Sequence, residues 1–187
     1  MRVAACLVTR GNVDLTEIIE SLPSSWEVVV WDNSKREDLS VYGRYAAINL
    51  TDAEVIYVQD DDAVLDPDGF DALLAAYQPD ALAANMPSRF RHDFYRDHCL
   101  VGFGGIFHRD LPSRAFHRFF DHVDPADPTM FRRTCDVVFT TLSPRHLVDV
   151  AHRDLDYASD PDRMWKQPTH QKEREQMLDL ARAVRDT

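Results

Sequence analysis

Residues 54–70 read EVIYVQDDDAVLDPDGF, and this stretch decides the fold. Val55 to Val58 form a short apolar run of β-branched and aromatic residues, which predicts a buried strand. The strand delivers three consecutive carboxylates, Asp60, Asp61 and Asp62. Like charges this close raise one another's pKa, and a bound divalent cation relieves the repulsion. Magnesium and manganese prefer oxygen ligands, use one or two protein carboxylates, and leave room for substrate phosphates. Side chains two apart on an extended chain face the same way, so Asp60 and Asp62 can share one cation. Asp66 and Pro67 then stand where a helix cap and a first helical residue belong, ahead of the helical pattern in DPDGFDALLAAY. The alternative for the acidic run is a solvated turn leading into that cap.

Outward from this stretch the chain alternates strands and helices. RVAACLVT (2–9) and EVVVWDNS (27–34) are two more β-rich runs, and ALAANMP (81–87) a fourth. Between the first two, NVDLTEIIESLP sets Leu15, Ile18, Ile19 and Leu22 at helical spacing and stops at Pro23. YGRYAAINLTDA (42–53) gives a second helical stretch. Such alternation predicts an α/β domain with a mostly parallel sheet and helices on both faces, its ligands bound beyond the carboxyl ends of the strands. The later half is less regular. LVGFGGIFHRDL predicts a strand with a glycine break, CDVVFTTL a short helix or strand, HLVDVAHRDL another strand, and HQKEREQMLDLARAVRD an amphipathic C-terminal helix. There is no internal repeat, low-complexity tract or interdomain linker, so residues 1–187 are expected to form one domain.

Charge divides the chain. Residues 1–86 carry 5 basic and 16 acidic side chains, whereas 87–187 carry 16 of each. The acidic half suits a cation, and no global basic footprint for nucleic acid exists. Cys6, Cys99 and Cys135 are odd in number and widely spaced, which argues for reduced thiols rather than a zinc knot or a disulfide framework. The opening apolar run is short and has no small-residue cleavage site, and no run is long enough to span a bilayer. The expected location is therefore the cytoplasm.

A hydrophobic strand, then Asp-x-Asp, then an apolar residue and a turn into a helix resembles the metal motif of GT-A-fold glycosyltransferases, family-2-like or exostosin-like. The order of segments extends the resemblance. VAACLVTRGN resembles the family's opening strand and nucleoside-receiving loop, which implies donor contacts at Thr9 and Arg10. VVVWDNS resembles the second strand, whose terminal acid meets the base; here that is Asp32. YGRYAAINLTDAEVIYVQDDD resembles the arginine-bearing helix and the metal strand. By that likeness Arg44 and Asp61 contact the donor, Asp60 leans toward the ribose and metal, and Asp62 binds metal. LVGFGGIFHRD resembles the glycine-paired acceptor segment, which implies Gly104 and Gly105. RTCDVVFTTL resembles the segment that carries the catalytic acid, here Asp136, with Cys135 where many relatives have a second acid. MWKQPTHQ resembles the C-terminal loop that gives the metal a histidine, which implies His170, while Lys166 or Arg163 would help to neutralise the diphosphate. The halves 1–86 and 87–187 then correspond to a nucleotide-sugar and metal half and an acceptor half.

What the likeness implies is transfer from a nucleotide-diphosphate sugar with Mn2+ or Mg2+ as cofactor. A UDP-sugar is favoured, because Asp32 would accept a hydrogen bond from the uracil imide. A metal neutralises charge that develops on the β-phosphate, and a carboxylate takes the acceptor's proton. The acceptor is left open: glycan, lipid, small molecule, protein side chain or a hydroxymethylated DNA base, the last disfavoured by the acidic balance. Oligomeric state is not legible. Three rivals share parts of the pattern. A haloacid-dehalogenase phosphatase keeps Asp-x-Asp on its first strand, whereas two strands precede it here. A sugar nucleotidyltransferase wants a glycine-rich first loop, and VTRGNVDL has only Gly11; a Rossmann dehydrogenase fails for the same reason. An inactive nucleotide-sugar-binding domain is the non-enzyme alternative.

Overall fold

Seven residues of VAACLVT are all buried, and their small side chains explain how helices can close on both sides of them. A computed structural model describes residues 1–124, 127–155 and 163–187. In it this segment is β1 (Val3–Thr9), an interior strand of the main sheet. The next strands are β2 (Glu27–Asp32), β3 (Val55–Val58), β4 (Ala63–Leu65), β5 (Leu82–Asn85), β6 (Gly105–His108), β7 (Arg145–Val148) and β8 (His152–Asp154). The helices are α1 (Thr16–Ser21), α2 (Gly43–Ala46), α3 (Pro67–Ala76), α4 (Leu111–Phe120), α5 (Pro128–Leu142) and α6 (His170–Arg185). The main sheet has the order β2-β1-β3-β6-β5-β7. Pairs β2–β1, β1–β3 and β5–β7 are parallel, while β6 runs antiparallel to both of its neighbours. Strands β4 and β8 form a separate antiparallel ribbon.

Period-two alternation sends the two faces of the sheet into different cores. Ala4, Cys6, Ile56, Val58 and Phe107 pack with Tyr45 of α2 and with α4, α5 and α6. Val3, Ala5, Val55, Tyr57 and Ile106 pack with Phe70 and Leu73 of α3 and with Leu22. Helices therefore cover both faces of a mostly parallel sheet, the α/β architecture expected from the alternation. The parallel strands β1, β2 and β3 end on one edge, and β6, running the other way, starts there. That reversal brings residues 102–105 to the ends of β1 and β3.

Several expectations need correction. CDVVFTTL is the second half of the 15-residue α5, whose start is capped by Asp127 accepting from the amides of Thr129 and Met130. A buried run of this length reads equally as strand or helix, and the cap with Pro128 behind it settles the matter. HLVDVAHRDL is two strands in two sheets, because the chain turns at residues 149–151. Helix α4 and strand β4 were not foreseen. Asp66 stands at the cap position of α3, with Pro67 next, but its side chain makes no capping hydrogen bond. Among the described residues no helix is long and apolar enough to cross a membrane.

Candidate functional site

The carboxyl edge of the sheet opens into a cleft of about 700 Å³. It is of the size that holds small-molecule ligands, roughly 300–1,000 Å³. Thr9 and Arg10 reach it from the end of β1, Asp60, Asp61 and Asp62 from the loop after β3, and Asp136 from the middle of α5. His170, the first residue of α6, lines the same cleft. Sequence positions far apart are thus gathered at one cleft.

Arg44 on α2 is the buried cation of the site, with only 2% of its side chain exposed. Its Nη2 donates to Asp60, and its Nη1 lies 3.6 Å from Oδ2 of Asp136. Burial opposes its charge, but Asp136 and Asp60 together more than offset that, and its pKa is raised. Its Nε and Nη1 find no hydrogen-bond acceptor among the described residues. Buried donors without partners are rare, and at a cleft wall they are positions where a ligand oxygen can bind.

Asp136 is neither a helix cap nor a surface acid. Its Oδ1 accepts a hydrogen bond of 2.5 Å from the hydroxyl of Tyr45. Desolvation pushes its pKa up, while Arg44 and the Tyr45 hydroxyl pull it down and Asp60 pushes up again. A carboxylate with a raised pKa on a cleft wall suits proton transfer near neutral pH.

The acidic triplet has a second cation. Arg163 places Nη2 at 2.7 Å from Asp61 and 2.6 Å from Asp62. Burial raises the Asp62 pKa to about 6, Asp60 adds to the rise, and Arg163 opposes it. His170 is held neutral, its pKa lowered to about 4 chiefly by burial and then by Arg174 and Arg133. Its Nδ1 has no partner among the described residues. No group of three or more His, Cys, Asp or Glu side chains is gathered for a metal among the described residues. A closed protein cage is therefore not what these donors form. Asp60, Asp62 and His170 line one cleft but do not converge as a three-donor set, so magnesium or manganese here would rest on one or two carboxylates and on phosphate oxygens.

Other expected contacts lie elsewhere. Asp32 does not line the cleft: its Oδ1 accepts from the amide and hydroxyl of Ser34 at 2.9 and 2.6 Å, and its Oδ2 pairs with Lys35 at 2.9 Å. Hydrogen bonds from Ser34 and Lys35 lower its pKa to about 2. The neighbouring Asn33 and Asp38 face the cleft instead. Asn33 braces residues 39–40 through the Leu39 amide and the Ser40 carbonyl, and Ser40 takes a positive φ of 53°. Gly104 and Gly105 are core positions. A side chain at Gly104 (φ +107°) would meet Tyr57 and Leu73, and one at Gly105 would meet Leu82 and Val101. The glycine that touches the site is Gly102, against which the Asp60 carboxylate packs so closely that a Cβ would collide with it. Its carbonyl also accepts from the Asp60 amide at 2.9 Å. Lys166 ends a short 3₁₀ turn, Met164–Lys166, away from the cleft lining. Sequence reasoning missed Tyr45, Gly102, Asn33 and Asp38. Only the glycine-rich text of 102–105 carried a signal for any of them.

No family model matches the chain, and no curated protein matches it. Among solved structures, S. aureus TarS 1–349 in complex with UDP is similar at 13% identity, with a TM-score of 0.46 over 80% of this chain and 58% of that one. The same protein in complex with UDP-GlcNAc gives 12% identity and a TM-score of 0.44 over 80% and 56%. The chain thus spans a little over half the length of the two TarS chains.

Proposed function

We propose that this chain transfers a sugar from a nucleoside-diphosphate donor, a uridine donor for preference, to an acceptor hydroxyl. The observation that carries the reading is the joint placement of Asp60–Asp62, Arg44 and Asp136 around one cleft at the carboxyl edge of the sheet. A doubly wound sheet binds its ligands at that edge. The unpartnered nitrogens of Arg44 and the guanidinium of Arg163 suit the oxygens of a diphosphate, which arginine recognises well.

In this reading the acceptor hydroxyl attacks the anomeric carbon and its proton passes to Asp136. The bond from that carbon to the diphosphate breaks, and the electron pair leaves with the nucleoside diphosphate. Arg44 and Arg163 neutralise charge on the departing group. Asp62, with Asp60 beside it, is the carboxylate that would hold manganese or magnesium, which when bound would supply Lewis-acid neutralisation at the β-phosphate.

The test is a thermal-shift and calorimetric screen of uridine, thymidine, cytidine, adenosine and guanosine diphosphate sugars, with manganese and with chelator. Binding should appear first for a uridine donor. No binding of any nucleoside-diphosphate sugar at millimolar concentration overturns the proposal. For a ligand-binding donor, Asp136→Asn should cut release of the nucleoside diphosphate by about 10²–10⁴ and leave donor binding intact. Binding without any turnover across a broad acceptor panel favours a nucleotide-sugar-binding module instead.

A further inference from the structure

Adjacent residues of one short helix hold two carboxylates of the cleft, Asp60 and Asp136. Arg44 and Tyr45 lie in α2, a four-residue helix, and one meets Asp60 while the other meets Asp136. We propose that Tyr45 is a positioning residue: its hydroxyl fixes Oδ1 of Asp136, so that Oδ2 is the oxygen left to take the acceptor's proton. The inference rests on the reading of Asp136 as the base.

Four observations carry it. Tyr45 is 5% exposed, and its ring is clamped by Phe107, Phe116 and Phe139 at centroid distances of 6.4, 5.2 and 5.5 Å. A ring held in this way has little freedom, so the hydroxyl arrives at a fixed point. The contact to Oδ1 measures 2.5 Å, at the short end of the range for a bond from a hydroxyl to a carboxylate. Burial, and then the charge of Asp136, push the Tyr45 pKa far upward, so the phenol stays protonated and always donates. Lastly, Oδ2 faces Arg44 from 3.6 Å with no hydrogen bond between them. That leaves one oxygen anchored and the other near a positive charge but not bonded to it. A base needs this combination: orientation from one side, and a free acceptor on the other.

The experiment uses the full chain labelled with ¹³C at the aspartate carboxyl carbons, with Asp136→Asn identifying the Asp136 resonance. The groups that face this carboxylate are Arg44 and Tyr45 of α2, Asp60, Arg174 of α6, and the thiols Cys99 and Cys135. All are retained in Tyr45→Phe except the hydroxyl. That hydroxyl stabilises the ionised form, so its loss should move the Asp136 midpoint up by roughly one pH unit. The aromatic packing is kept, so a purely structural role for Tyr45 would leave the midpoint in place. An unmoved or lowered midpoint overturns the inference. In parallel, turnover of UDP-N-acetylglucosamine to UDP should fall roughly tenfold in Tyr45→Phe with the donor Kd unchanged. A donor Kd that rises as much as kcat falls overturns it as well. Unchanged UDP release per folded molecule in Asp136→Asn takes down the base assignment and this inference together. It is told apart from the other failures because it appears in that variant alone.

Discussion

The guanidinium of Arg163 sits 2.6 Å from the carboxylate of Asp62, with side-chain exposures of only 10% and 16%. Asp62 is also a carboxylate expected to bind the divalent cation, so arginine and cation compete for it. Arg163→Gln should therefore tighten manganese binding to the donor-free chain, by roughly tenfold, the effect of removing one charge-assisted contact. Asp62→Ala should abolish the manganese-dependent part of donor binding. Isothermal calorimetry decides both. Equal manganese affinity in Arg163→Gln and the unaltered chain defeats the competition, and equal donor affinity in manganese and in chelator defeats the cation.

Base selection should depend on Asp38 more than on Asp32. Ser34 and Lys35 already engage both oxygens of Asp32, whereas Asp38 and Asn33 face the cleft. A carboxylate accepts a hydrogen bond from the imide N–H of uracil but not from N3 of cytosine, which has no proton. Preference for UDP over CDP should be about ten- to a hundredfold. Asp38→Ala should erase most of it and Asp32→Ala much less. Competition calorimetry with the two nucleotides reads the ratio, and the opposite ranking restores Asp32 to the base.

Stability should fall on mild acidification through His98. This residue is fully buried between the rings of Phe94 and Tyr95, at 5.1 and 4.9 Å, and its Nδ1 has no partner among the described residues. Burial, and then Arg174, Arg145 and Arg182, lower its pKa from 6.5 to about 3. The folded state therefore keeps it neutral while the unfolded chain takes up a proton below pH 6.5, so stability is full above that value and is lost as the pH falls toward 3. His98 should contribute about 2–4 kcal/mol to that loss. Urea midpoints from pH 7 to 4.5 should fall less steeply in His98→Phe than in the unaltered chain. Parallel curves would remove His98 as the cause.

Gly104→Ala should destabilise the fold without touching the cleft. Gly104 takes a φ of +107°, and a new Cβ would stand 3.0 Å from the Tyr57 hydroxyl, which itself donates to Gln59 at 2.6 Å. Strain of this kind is worth about 1–3 kcal/mol. The urea midpoint should drop at constant m-value, with donor affinity per folded molecule retained. A lost affinity at unchanged stability would return this glycine to the binding surface.

Much of the architecture was legible in the text of the chain. The apolar runs at 3–9 and 55–58 announce strands by themselves, because a strand buried on both faces must be apolar throughout, and the β-branched run 28–30 marks the half-buried edge strand β2. The helical spacing of Leu15, Ile18 and Leu22 and the composition of residues 170–186 announce helices for the same reason of burial. The acidic triplet was legible as well, since three carboxylates after a buried strand repel one another until a ligand or a counter-charge offsets them, and Arg163 and Arg44 supply the counter-charge. The direction of β6 was not. Strand polarity follows from where the intervening chain crosses the sheet, and no local pattern encodes that.

The sequence by itself determined the strands and helices of the first half apart from β4, together with the C-terminal helix, and which residue types could do chemistry, because both follow from short-range spacing and side-chain character. Only the tertiary structure decided which of those residues meet. It set Gly102 rather than Gly104 against Asp60, turned Asn33 and Asp38 to the cleft in place of Asp32, and made Arg44 a buried bridge between two acids. It also brought Arg163 onto Asp62 and Tyr45 onto Asp136. Those contacts join residues remote in the chain, and the energy that selects them comes from packing two cores against one sheet, which no stretch of sequence contains alone.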